Sequence, residues 1–108
     1  METQERSLWE IYVPVVDNDG KFFTDEWNEV WKKNVIAITG GMGKFPVVTG
    51  IWISPTKEVV EEPMRPVRIL ASRKQVQEIL KFTRQHFSQE CVMCFLLSTE
   101  IILSCDGE

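Results

Sequence analysis

Leu8-Trp9-Glu10-Ile11-Tyr12-Val13-Pro14-Val15-Val16 is the stretch on which the fold turns. It is rich in aromatic and β-branched residues, which suit a pleated, half-buried surface, and it reads as a strand. Side chains alternate across a strand. Trp9, Ile11, Val13 and Val15 take one face, and Leu8, Tyr12 and Val16 take the other, where Glu10 alone is polar. A strand that is apolar on both faces needs cover on both. Pro14 cannot donate to a ladder, so it marks a bulge or an unpaired side.

Asp17-Asn18-Asp19-Gly20 follows as a turn. Thr24 then precedes Asp25 and Glu26, an N-cap with acids in the first turn where the helix dipole favours them. Trp27, Val30, Trp31, Val35 and Ile38 recur near the helical period, with Trp27 and Trp31 expected in the core. Gly40 or Gly41 supplies the left-handed C-cap. A second strand runs from Phe45 to Ile53, turns at Ser54-Pro55-Thr56-Lys57, and returns as a third strand from about Glu58 to Ala71. Pro63 and Pro66 predict an irregular first half of that third strand. Ser72 with Gln75 three residues on forms a capping box for a second helix. Val76, Ile79, Leu80, Thr83 and Phe87 make its buried stripe. Cys91 to Leu97 is the fourth strand, and Ile101-Ile102-Leu103 is an optional fifth or a tail that docks on a neighbour.

The order β-α-β-β-α-β predicts a ferredoxin-like α+β domain spanning residues 1–108, with both helices on one face of an antiparallel sheet. The second and fourth strands are also apolar on both faces: Val48 and Trp52 oppose Phe45, Val47, Ile51 and Ile53, and Val92, Cys94 and Leu96 oppose Cys91, Met93, Phe95 and Leu97. Two helices cover only one side. A bare second face would exceed the apolar patch a monomer tolerates, so a homo-oligomer, dimer or trimer, is expected. Its interface candidates are Leu8, Tyr12, Val48, Trp52, Val92 and Leu96.

The chain has 108 residues, 44% hydrophobic and 26% charged, which suits one modest core. A net charge of −4 argues against a nucleic-acid footprint or adhesion to anionic lipid. No apolar run approaches a membrane-spanning length, and Met1 to Arg6 has no secretory character, so a cytoplasmic location is expected.

Few residues invite chemistry. Cys91 and Cys94 are spaced as C-x-x-C, but on a strand their thiols point apart, and a zinc site lacks a second ligand pair; with Cys105 they read as buried cysteines. The glycines at 40, 41 and 43 follow a helix instead of preceding one, so they do not form a phosphate loop, though Lys44 beside them could meet an anion. Asp17, Asn18 and Asp19 begin like a calcium loop, but Asn28 stands where the twelfth-position Glu is needed. His86 is the only histidine and has no catalytic partner near it in sequence. Tyr12, Trp52, Arg68, His86 and Lys44 are the candidate ligand-binding residues; no catalytic residue, metal or cofactor is expected.

Tyr12-Val13-Pro14, then Asp17-Asn18-x-Gly20, Phe23 and Trp27, resembles small bacterial ferredoxin-like domains of the PII-like type, as does Phe45-Pro46 with Gly50-x-Trp52. The likeness covers about residues 8 to 100 and implies the fold. The nucleotide-binding loop of PII signal proteins is not matched. The expected function is an oligomeric binding or regulatory protein without catalysis. The alternatives are a small-molecule enzyme with a pocket between sheet and helices, and an interaction protein that works through its acidic surface.

Overall fold

The computed structural model describes residues 5–107; the reading of Met1 to Gln4 lies outside them. The elements run β1 (Ser7–Pro14), α1 (Asp25–Thr39), β2 (Gly43–Lys44), β3 (Val48–Ile53), β4 (Val59–Ala71), α2 (Arg73–His86) and β5 (Cys94–Ser98). β4 and β1 form the centre of one antiparallel sheet, with β5 beside β1 and with β2 and β3 both beside β4. This is the ferredoxin-like α+β arrangement, with the expected second strand split in two around Pro46.

Register explains the two faces. Trp9 pairs with Ile69 and Ile11 with Val67, and these four are buried. With Val13, Trp31, Val35, Val76, Ile79 and Phe87 they form the core between sheet and helices. Buried polar groups there are satisfied. Trp31 Nε1 donates to Thr83 Oγ1 at 2.9 Å, and Thr83 donates on to the Ile79 carbonyl at 2.6 Å. Trp9 Nε1 donates to the Ala71 carbonyl at 2.9 Å.

The caps are the expected ones. Thr24 Oγ1 accepts from Trp27 N, Gly40 ends α1 at φ +87°, and Ser72 and Gln75 form a reciprocal capping box. Asp17 Oδ1 accepts from the backbone of Asp19 and Lys21, so that loop is an Asx-type turn.

Three local expectations fail, and one of two open readings is decided. Pro63 and Pro66 do not disturb β4, whose register is continuous against β1 and β3; the irregularity lies between β1 and β5 at Leu8 and Trp9. Phe45 N donates to the Pro66 carbonyl, and the return bond that Pro66 cannot make is supplied by Arg65 Nη1, 2.8 Å from the Phe45 carbonyl. Trp27 is 45% exposed because it stacks on His86 at the helix ends instead of entering the core. β5 starts at Cys94, so Cys91 precedes the ladder and is exposed, as is Cys105. Residues 101–103 form no strand.

Thr83→Val keeps the shape of the site and strands the buried Trp31 N–H. Chemical denaturation should show a loss of about 1–3 kcal/mol, the usual cost of an unpaired buried donor.

Candidate functional site

Leu8, Glu10 and Tyr12 point away from the helices, and their β4 partners Leu70, Arg68 and Pro66 share that open face. Phe95 joins from β5 opposite Glu10, and Met64, Glu62 and Val60 continue the face along β4. Val48, Gly50 and Trp52 of β3 pair with these last three.

One ion pair stands in this apolar surface. Arg68 Nε lies 2.9 Å from Glu10 Oε1, and Glu10 is buried while Arg68 is not. The Arg68 guanidinium carbon lies 4.5 Å from the centre of the Phe45 ring. A guanidinium held between a carboxylate and an aromatic face is fixed in direction, and its outer N–H groups remain available. Tyr12 and Phe95 meet edge to face at 5.7 Å on the other side of Glu10. An open cavity of about 580 Å³ adjoins the pair. Arg68, Phe45, Leu8 and Leu70 form one wall, and Arg6 with the glycine loop at 40–43 forms the other. A Cβ at Gly40 or Gly41 would meet nothing within 4 Å, so the loop is roomy as well as turned.

Burial raises the pKa of Glu62 from its ordinary carboxylate value. A raised folded-state pKa means that ionising Glu62 works against folding. The protein is relieved of that penalty as pH falls through the carboxylate range and bears it above. Glu62→Gln should therefore raise Tm at neutral pH and flatten its rise on acidification; a variant with wild-type Tm at every pH would contradict this. Burial also pushes the Cys94 thiol up to about 11. Cys94 should alkylate more slowly than the exposed Cys91 when iodoacetamide labelling is followed by peptide mass spectrometry.

The candidate residues do not all converge. Tyr12 and Arg68 lie together on the open face, and Trp52 shares that face farther out on the β3–β4 hairpin. Lys44 lines a different cavity, on the helix side. His86 fastens the two helices: its Nε2 donates to the Trp27 carbonyl at 2.8 Å, Trp27 Nε1 donates back to the His86 carbonyl at 3.0 Å, and the rings stack at 4.3 Å. Of the interface candidates, Leu8, Tyr12, Val48 and Trp52 are on the open face. Val92 packs against the core, and Leu96 faces the helix side, because the register sets Cys94 against Ile11 and Leu96 against Trp9, the helix-facing residues of β1. Glu10, Phe45, Phe95 and Glu62 carry no motif that marks them as site residues. Glu10, Phe45 and Phe95 come together around Arg68 through pairings between strands far apart in sequence, while Glu62 lies out on the β3–β4 hairpin. Among the described residues no group of three His, Cys, Asp or Glu side chains could hold a metal ion, and no helix is long and apolar enough to cross a membrane.

No protein-family model and no curated protein matches the chain. Solved structures do. The divalent cation tolerance protein CutA1 of Thermus thermophilus superposes with a TM-score of 0.65 at 14% identity, over 93% of this chain and 87% of that one. A phage SAM lyase in complex with S-methyl-5′-thioadenosine gives 0.64 at 19% identity, over 96% and 89%. CutA1 of Oryza sativa gives 0.64 at 9%, over 96% and 85%. Another neighbour, from Archaeoglobus fulgidus, is named a periplasmic divalent cation tolerance protein. At these identities the likeness establishes the shared fold.

Proposed function

We propose that the chain is a self-assembling small-molecule-binding protein, and that its open sheet face takes an adenosine with a sulfur substituent at the 5′ position. The observation that carries this reading is the fixed Arg68 guanidinium, set between Glu10 and Phe45 and lining a 580 Å³ cavity. Such a ligand has a flat ring system, a polar ribose and an apolar thioether. Phe45, Tyr12 and Phe95 offer ring faces and edges, the Glu10–Arg68 pair offers directed polar contacts, and Leu8 and Leu70 offer an apolar wall. The phage lyase bound to S-methyl-5′-thioadenosine supports the ligand class.

Copies of the chain assemble through the same face, as a dimer or trimer. Trp52 and Val48 lie exposed on the open face of the hairpin, and Ile51, Ile53 and Val59, each more than 60% exposed, lie on its opposite side. Apolar surface of this kind, contiguous with the open face, is what a neighbouring copy covers. The free thiols of Cys91 and Cys94 fit a reducing cytoplasm.

A second reading adds turnover to binding, with S-adenosylmethionine cleaved to S-methyl-5′-thioadenosine. The likeness in fold to a phage SAM lyase favours it. The substrate's own carboxylate attacks the carbon bonded to sulfur, so a C–O bond closes a lactone as the C–S bond breaks, the electron pair stays on sulfur, and the sulfonium and carboxylate charges are both discharged. A site that hydrates ions poorly favours a step in which charge disappears.

Thermal shift with S-methyl-5′-thioadenosine tests binding: Tm should rise with ligand concentration. Arg68→Ala should weaken the effect about tenfold, the weight of a charge-assisted hydrogen bond. No shift for the folded wild type overturns the ligand class. Incubation with S-adenosylmethionine, followed by chromatography, tests turnover. Release of S-methyl-5′-thioadenosine supports the enzyme; binding without release leaves a non-catalytic binding protein.

A further inference from the structure

We propose that a second cavity, on the helix-covered side of the sheet, is a site for a free α-amino acid with an unbranched apolar side chain. The cavity has a volume of about 270 Å³ and lies between the first half of α1, the end of β1 and the middle of β4. Its floor is apolar: Trp31, Val13 and Val67 are buried and Met42 is half-buried. Its rim carries both signs of charge: Asp25 from the first turn of α1 and Lys44 from β2, beside the paired Glu29 and Lys32 of α1 and Arg65 of β4.

Asp25 and Lys44 line one cavity yet do not meet. The ion pairs among the described residues are Lys32 with Glu29 and Arg68 with Glu10. Asp25 is favoured at a helix start for its own reasons. That does not account for an unpaired lysine across an apolar floor. A ligand with a carboxylate and an ammonium on one carbon satisfies both ends. Its carboxylate would meet Lys44 and the guanidinium of Arg65, which also lines the cavity and uses Nη1 to hold the Phe45 carbonyl. Its ammonium would meet Asp25, and its side chain would lie on Trp31 and the adaptable thioether of Met42.

This site and the Arg68 site have Met42 in common, but neither shares a charged group with the other. The proposal therefore stands apart from the adenosine reading, and either can fail alone.

L-methionine is the probe, titrated calorimetrically into the full chain. Two analogues dissect it: L-methioninol lacks the carboxylate and N-acetyl-L-methionine lacks the ammonium. L-methionine should bind, and each analogue should bind about tenfold more weakly, one charged hydrogen-bonded contact being lost in each. Lys44→Ala should weaken L-methionine to a similar degree and leave L-methioninol unaffected. Asp25→Asn should do the same with respect to N-acetyl-L-methionine. Both side chains are exposed, so the variants should keep the wild-type circular dichroism, with Asp25→Asn lowering Tm slightly as the helix start loses its charge. Absence of binding, equal binding of all three compounds, or variants indifferent to the missing group would each overturn the proposal.

Discussion

Two helices can cover only one face of a sheet, and this sheet is apolar on both. That geometrical constraint shapes everything else in the molecule. On the covered side it yields a core in which every buried side-chain donor and acceptor among the described residues has a partner. On the other side it leaves aromatic and aliphatic residues around a single ion pair. Glu10 is the pivot of the arrangement. It is a carboxylate buried in place among apolar neighbours, and Arg68 opposite it on β4 is what makes that tolerable. Removing the arginine would leave the carboxylate uncompensated, whereas replacing both partners with apolar residues would remove the demand altogether. Retention of the pair therefore fits a role in directing contacts more readily than a role in stability.

Proline placement shows how the chain keeps this sheet intact. Pro66 lies in the middle of a central strand, a position where a missing donor ordinarily breaks a ladder. Arg65 repairs the gap with its own side chain, bonding the Phe45 carbonyl that Pro66 cannot reach. The repair holds Phe45 where its ring meets Arg68. A backbone accommodation on one residue thus sets the geometry of the functional face. Gly50 is a related case on the hairpin, since a Cβ there would overlap the methyl group of Met64, so the bare backbone lets Met64 and the Trp52 ring fold close.

Much of this is legible in the order of amino acids. The alternation in β1, the Thr24 and Ser72 caps and the Gly40 turn are local signals, and local physics decides them. The order of elements follows, and with it the inference that one face lacks cover. The start of the last strand is less legible. Cys91-Val92-Met93 is apolar enough to read as strand, while the ladder with β1 begins only at Cys94. Periodicity alone puts Trp27 in the core, and it does not reveal that the His86 ring at the end of α2 stacks on it instead. The candidate site is half legible. Tyr12 and Arg68 stand out by residue type. Their convergence with Glu10, Phe45 and Phe95 requires the cross-strand register, which patterning does not supply.

The central claim is that the open face is covered by another copy of the chain, and its mass in solution tests this most directly. Sedimentation equilibrium at micromolar concentration should give two or three times the 12.5 kDa of one chain, and Tyr12→Glu, which sets a charge on the open face, should lower it. A wild-type protein that sediments as a 12.5 kDa monomer across that range would contradict the account.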